Sequence, residues 1–345
     1  MPMKRLIPLI LLVLISLEGY SQLVSCSQTL RLARSTYEQG RLHEIPALLA
    51  KCLAGGFSQQ EKVEAYKLLC LSYIYLEEPQ KADEAMLNLL RTDHYFKINP
   101  GTDPAEFIAL YNTFRTHPIY RIGGKLGVNA SAPNVVTAVE ANDGESKYNR
   151  KIGFQVHVSG EIPLNGNLIL NPELGLAQRN FEYTNHLSFT DTAFTTTAEE
   201  KQTWITLPVI LRYQITRKSF MPYVGLGVEA AYLVNASLSG NRTRQGFQFI
   251  EDKSFDLKPQ REKFNVSAVA TAGAHFPLGS GFVVTEIRFV YGITKVNSDK
   301  TAFAVDSSLP FEYGYADSVY KLNSLSITAG YVYNIFNPKK LNKRK

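Results

Sequence analysis

The spacing of apolar positions changes once along the chain, from a helical period to a period of two. Between residues 26 and 116 apolar side chains recur every three or four positions, the mark of helices that bury one face. Leu30, Ala33 and Tyr37 form one such face, stopped by Gly40, and Ile45, Leu48, Leu49 and Leu53 form a second, closed by Gly55-Gly56. Ser58, with Glu61 three residues on, predicts a capping box that opens a helix carrying Ala65, Tyr66, Leu69, Cys70, Tyr73 and Leu76. Pro79 opens another with Ala82, Ala85, Met86, Leu89 and Leu90 on one face, and Pro104 a last one with Phe107, Leu110, Tyr111 and Phe114. From residue 119 onward the period is two. In Lys151–Ile162 the even positions are apolar except Gly160, and in Ser324–Ile335 the phase reverses. Similar stretches lie at 119–130, 167–181, 202–216, 220–234, 263–277 and 281–294, which makes eight predicted strands.

Each stretch can cross a bilayer at a tilt, which takes roughly 9–11 residues. The connections near 163–167, 216–219 and 278–281 are short, whereas those near 131–150, 182–201, 235–262 and 295–322 are long and polar. Strict short–long alternation is the habit of an up-and-down barrel with tight turns on the periplasmic side and long loops outside. A soluble sandwich has no reason to sort its loops in this way. The predicted fold is therefore α+β and mainly β: an eight-stranded antiparallel transmembrane barrel at 118–337, preceded by a small all-α helical-hairpin domain at 22–117. An even strand number puts both barrel ends, and so the helical domain and a basic tail at 338–345, in the periplasm. Outward-facing Tyr120, Tyr213, Phe276 and Tyr333 fall at the periplasmic rim and Tyr232, Phe264 and Tyr291 at the outer rim, as two aromatic girdles.

The inward phase collects Lys125, His157, Glu161, Glu173, Arg179, Arg212, Glu229, His275, Glu286 and Arg288. Charges at alternate positions of otherwise apolar strands make sense where they pair in an enclosed lumen. Eight strands leave a lumen just wide enough for side chains to fill, so the expectation is a plug of ion pairs. The N-terminus agrees with export: Lys4 and Arg5, the apolar run Leu6–Leu17 and small residues before Ser21 predict a signal peptide at 1–21. Leu23-Val24-Ser25-Cys26 also fits a lipoprotein box, which would acylate Cys26. The net charge of +6 could suggest nucleic acid, but an exported chain does not meet it, and part of the excess is the tail Lys339, Lys340, Lys343, Arg344 and Lys345. Of three cysteines, Cys26 begins the first helix and Cys52 ends the second, so an antiparallel hairpin brings them together as a disulfide, unless Cys26 is acylated. Cys70, mid-helix among apolar residues, is expected to be a buried thiol.

Two resemblances follow. Tyr66, Leu69, Tyr73, Ala82 and Met86 resemble the aromatic, leucine, tyrosine, alanine and large apolar places of a tetratricopeptide unit, although Cys70 takes the small-residue place and no glycine follows Tyr73. Ile122–Asn129, Tyr223–Gly227 and Gly330–Phe336 resemble the PorT-like outer-membrane β-barrel proteins of Bacteroidota, over roughly 119–337. Thr328, Gly330, Tyr333 and Ile335 also resemble the terminal-strand signal of barrel assembly, with nine residues following Phe336. The resemblance implies an outer-membrane address and, for some members, type IX secretion; it supplies no catalytic residues.

The expected function is non-enzymatic. The barrel anchors in the lipid bilayer and its lipopolysaccharide, while the helical domain, with Tyr66, Tyr73, Phe107 and Tyr111 as candidate contacts, docks an outer-membrane or periplasmic protein complex for secretion, motility or barrel assembly. The alternative is a surface-binding or adhesive protein acting through the long loops, which hold Phe247, Phe249, Phe255, Phe303, Phe311, Tyr313 and Tyr315. A third possibility, loop-based catalysis by His186, Ser188 and Asp191, has no recognisable oxyanion element. The six histidines show no ligand spacing, and no cofactor or metal is expected. Asp191-Thr192-Ala193 and Asp317-Ser318-Val319 match a short O-glycosylation acceptor pattern.

Overall fold

The computed structural model describes residues 26–139, 145–164, 167–215, 220–298, 300, 306 and 308–341. The expected signal peptide, residues 23–25 of the lipoprotein box, Phe303 and the tail cations Lys343, Arg344 and Lys345 lie outside the described residues. The chain divides into two compact units. One comprises the described residues up to Pro118 together with those from Phe336 on; the other is Ile119–Ile335.

The first unit is helical: α1 (26–38), α2 (Ile45–Ala54), α3 (Gln59–Tyr75), α4 (Pro79–Thr92) and α5 (Ala105–Tyr111). Gly40, at φ +76°, supplies the left-handed residue that ends the first helix. Ser58 and Glu61 form the reciprocal capping box at the start of α3. The core gathers Ala33, Ile45, Leu49, Ala65, Cys70, Met86, Leu89 and Phe107. Cys26 and Cys52 are disulfide-bonded, with Cα atoms 5.6 Å apart, which leaves no Cys26 thiol for acylation, and Cys70 is a buried free thiol. The described part of the C-terminal segment, up to Leu341, packs within the helical unit. Phe336 stacks on His94 and meets Tyr95 edge-on. Lys340 forms a β-bridge with Phe114 and an ion pair with Asp83, and Leu341 N–H donates to the Thr113 carbonyl at 2.8 Å. Backbone pairing and ring stacking hold it, neither of which a charge count reveals.

The described residues of the second unit form nine strands: β1 (Tyr120–Thr137), β2 (Glu145–Pro163), β3 (Leu168–Ser188), β4 (Ala193–Gln214), β5 (Met221–Arg244), β6 (Phe247–Asp256), β7 (Phe264–Leu278), β8 (Gly281–Gly292) and β9 (Val319–Ile335). Eight of them close an antiparallel ring in the order β4-β3-β2-β1-β9-β8-β7-β5, with β4 paired to β5. The ninth, β6, pairs among the described residues only with β5, beyond the point where β7 takes over that edge. It arises because β5 runs 24 residues, longer than the ring needs, and its surplus turns back through Gln245-Gly246, both at positive φ.

The tight connections β2–β3, β4–β5 and β7–β8 share one rim, where β1 also begins opposite the end of β9 (Tyr120 against Ile335). At the other rim the expected long loops at 131–150 and 182–201 are largely strand: β3 and β4 stay paired up to Ser188 and Ala193. Tyr183 and Thr195-Thr196-Thr197 suit a ladder, but without apolar alternation they read as loop. Between the rims Leu126, Ile152, Phe154, Val158, Leu174, Leu207, Val224, Leu226 and Ile327 point outward and exposed, forming an apolar belt. Tyr120, Tyr213, Phe276 and Tyr333 are exposed on the tight-turn side of the belt, and Tyr232, Phe264 and Tyr291 on the other.

Candidate functional site

Strand pleat alone dictates that alternate residues enter the lumen, and ring closure brings distant strands face to face there. In the tight-turn half, Arg212 is the hub. Its Nη1 lies 2.9 Å from Glu161 Oε1, and its Nη2 lies 2.5 Å from Glu286 Oε2 and 3.3 Å from Glu173 Oε1. Arg288 bridges Glu173 (2.7 Å) and Glu286 (2.6 Å). Lys125 pairs with Glu173 and lies 3.5 Å from Glu286. Tyr223 donates to Glu286 at 2.7 Å beneath the Arg212 guanidinium, which sits 4.5 Å from its ring centroid. His275 Nε2 lies 2.8 Å from Glu161, and Arg121 closes the rim at 3.0 Å from the same carboxylate.

Glycine makes room for these groups. Arg212 sits directly opposite Gly225, where a Cβ would meet the Arg212 Cγ at 3.0 Å, and Tyr223 opposite Gly273, where a Cβ would meet its hydroxyl at 2.6 Å. Halfway along the lumen Arg179 and Glu229 form a separate pair at 2.5 Å. His157 Nε2 lies 3.2 Å from the Thr206 hydroxyl and belongs to no ion pair among the described residues.

The long-hairpin half holds a second plug that sequence reasoning missed. The segment around Tyr313–Ser318 is buried against the barrel wall, following one helical turn at Leu309–Tyr313. Arg261 clamps it: Nε and Nη2 take Glu200 at 2.8 and 2.7 Å, and Nη1 and Nη2 take Asp317 at 2.5 and 3.1 Å. Tyr320 and Gln202 also donate to Glu200, at 3.2 and 2.6 Å. Around this cluster Phe181 packs on Tyr320, Tyr183 on Tyr315 and Phe255 on Tyr313. Glu200 shares its phase with Gln202, Thr206 and Arg212 on β4, a signal that could have found it. Arg261 lies between strands, and nothing in its sequence context points inward.

Other expectations are corrected by burial. Phe107 is 0% exposed, and Tyr66, Tyr73 and Tyr111 pack partly buried against the helical core, with the Tyr111 hydroxyl bonded to the Phe96 carbonyl. Phe107 is thus a core ring with no face open to a partner, while Tyr66, Tyr73 and Tyr111 pack on the core and keep part of each ring exposed. Of the loop aromatics, Phe255, Tyr313 and Tyr315 are core, while Phe247, Phe249 and Phe311 are exposed. His186 Nδ1 lies 3.0 Å from the Thr195 hydroxyl across the β3–β4 ladder, and no contact joins His186 to Ser188 or Asp191 among the described residues. Asp317 and Ser318 are buried, which removes them as glycan acceptors.

A family model described as an outer membrane protein beta-barrel domain matches residues 116–298. The chain belongs to that family. Among solved structures, the barrel is similar to Neisserial surface protein A, at 11% identity and a TM-score of 0.30 over 63% of this chain and 97% of that one. It is similar to Ail, the attachment invasion locus protein of Yersinia pestis, at 12% and 0.27 over 62% and 99%. AlkL, solved in DMPC lipid bilayers, matches at 11% and 0.32 over 70% and 98%. No curated protein matches the chain. As a member of an outer-membrane barrel family, the chain sits in the outer-membrane bilayer, with its apolar belt against lipid. No helix among the described residues is long and apolar enough to cross a membrane; the spans are strands.

Proposed function

We propose that this outer-membrane barrel is a non-enzymatic anchor that presents its helical unit to a periplasmic or outer-membrane protein complex, as an accessory subunit of a secretion, motility or barrel-assembly machine. The observation that carries the reading is a lumen occupied along its length by buried side chains: the Arg212 network, the Arg179–Glu229 pair and the Arg261 plug. Among the described residues these side chains obstruct the lumen, which favours anchoring and presentation over conduction. The tight-turn rim, where β1 begins and β9 ends, faces the periplasm in this reading, and the helical unit is attached there by both its chain connections. The resemblance to PorT-like proteins favours a secretion machine among the candidates.

A gentle detergent pull-down of the tagged protein from its own outer membrane tests the reading. A stoichiometric set of secretion or assembly components, lost on deletion of residues 27–116, is the expected result; a clean monomer overturns it. The exposed Phe247, Phe249 and Phe311 at the long-hairpin end favour a second reading, a surface-binding protein. Deletion of residues 27–116 leaves its activity intact.

A further inference from the structure

At the far end of the β3–β4 and β5–β6 hairpins, three phenylalanines and two arginines meet. Phe194 lies opposite Arg244 across the β4–β5 ladder, one cross-strand step from the Arg242 position. Both guanidiniums lie over its ring, at 4.7 Å for Arg242 and 5.9 Å for Arg244. Neither enters an ion pair among the described residues; Arg242 donates only to the Glu312 carbonyl, at 2.7 Å, and its Nε has no partner. Phe189 and Phe249 flank Phe194 edge-on, with centroids 6.3 and 5.5 Å away, and remain 59% and 52% exposed. The outcome is a short row in which two open rings flank a third ring that carries a pair of cations.

Exposed aromatic rings are costly in water and serve no core here, so their placement beside unpaired guanidiniums calls for a ligand of matching chemistry. The negative ring face attracts electropositive C–H groups of a sugar. A guanidinium fork takes sulfate, phosphate or carboxylate through paired hydrogen bonds. We infer that the tip formed by Phe189, Phe194, Arg242, Arg244 and Phe249 binds an acidic polysaccharide, with Phe189 and Phe249 stacking on sugar rings and the arginines holding its anionic groups. Phe194 is a positioning residue that keeps the guanidiniums in place. Two cations over so short a row suit spaced charges on a glycan better than the dense phosphate line of a nucleic acid, which calls for a longer basic stripe. The site rests on the surface-binding reading for its biological use, but not for its chemistry.

The test uses the full chain in detergent micelles with dextran sulfate as probe, and neutral dextran and oligo-dT as comparisons. Folding of each variant is checked by gel mobility without boiling. Wild-type protein is expected to bind dextran sulfate and not dextran. Arg242→Gln with Arg244→Gln should lower affinity at least tenfold, Phe189→Ala with Phe249→Ala severalfold, and Lys201→Gln, which removes an exposed cation lower on β4 beside Glu199, not at all. Equal binding by the patch variants, no binding by the wild type, or tighter binding of oligo-dT would each overturn the inference. The same probe on intact cells separates the two ideas. Binding by purified protein but not by cells keeps the site and removes surface exposure.

Discussion

The Arg179–Glu229 pair gives the sharpest test of a closed lumen, because each group has only the other as its ionic partner among the described residues. Their side chains are 5% and 2% exposed, and the pair lies 2.5 Å apart. Two unit charges about 4 Å apart at an effective dielectric of about 20 attract by about 4 kcal/mol. Removing one partner of a buried pair typically costs about 3–5 kcal/mol, since the survivor is left desolvated and unpaired, whereas replacing both with apolar groups is close to neutral. Arg179→Met and Glu229→Leu should therefore each destabilise the barrel by about 3–5 kcal/mol, while the double variant stays within about 1 kcal/mol of wild type. Urea titration in lipid vesicles reads this directly, using gel mobility and the fluorescence of Trp204, the single tryptophan, which is buried. If both single variants lose under about 1 kcal/mol, water reaches the pair, and the closed lumen on which the anchor reading rests is wrong.

Further outcomes are expected. Opening the Cys26–Cys52 bond, which spans 26 residues, should lower the stability of the helical unit by about 3.5 kcal/mol in a chain-entropy account; chemical denaturation of Cys26→Ser with Cys52→Ser against wild type measures it. Burial works against the Asp103 carboxylate, but the Lys67 ammonium at 2.5 Å and the Asn99 backbone amide hold its pKa below the ordinary value. Its stabilisation is therefore complete above the unfolded pKa of about 3.9 and fades as pH falls through the lower folded value. Acid unfolding followed by helical circular dichroism should show this loss in wild type and not in Asp103→Asn. Arg261→Gln removes the clamp from Glu200 and Asp317, so limited proteolysis should cut near residues 309–318 faster than in wild type while the ring stays folded; unchanged cleavage would mean that the aromatic packing alone holds the plug.

Local pattern and tertiary context divided the problem along a physical line. Where one face of an element meets lipid or a helical core and the other does not, the pattern is local. The eight ring strands, the Ser58–Glu61 capping box and the Cys26–Cys52 hairpin were accordingly legible from residue spacing. Alternation also put Lys125, Glu161, Glu173, Arg212, Glu286 and Arg288 on one phase. It could not say that Glu173 meets Arg288, 115 residues away, because only ring closure sets β3 across from β8. Beyond the lipid belt both strand faces meet water or the plug, apolar alternation lapses, and the upper halves of β3, β4 and β5 read as loop. The plug at 309–318, the extra strand β6 and the pairing of Lys340 with Phe114 depend on partners far along the chain. The lipid-facing period was in the sequence; what fills and caps the barrel was decided by which segments the fold brought to its mouth.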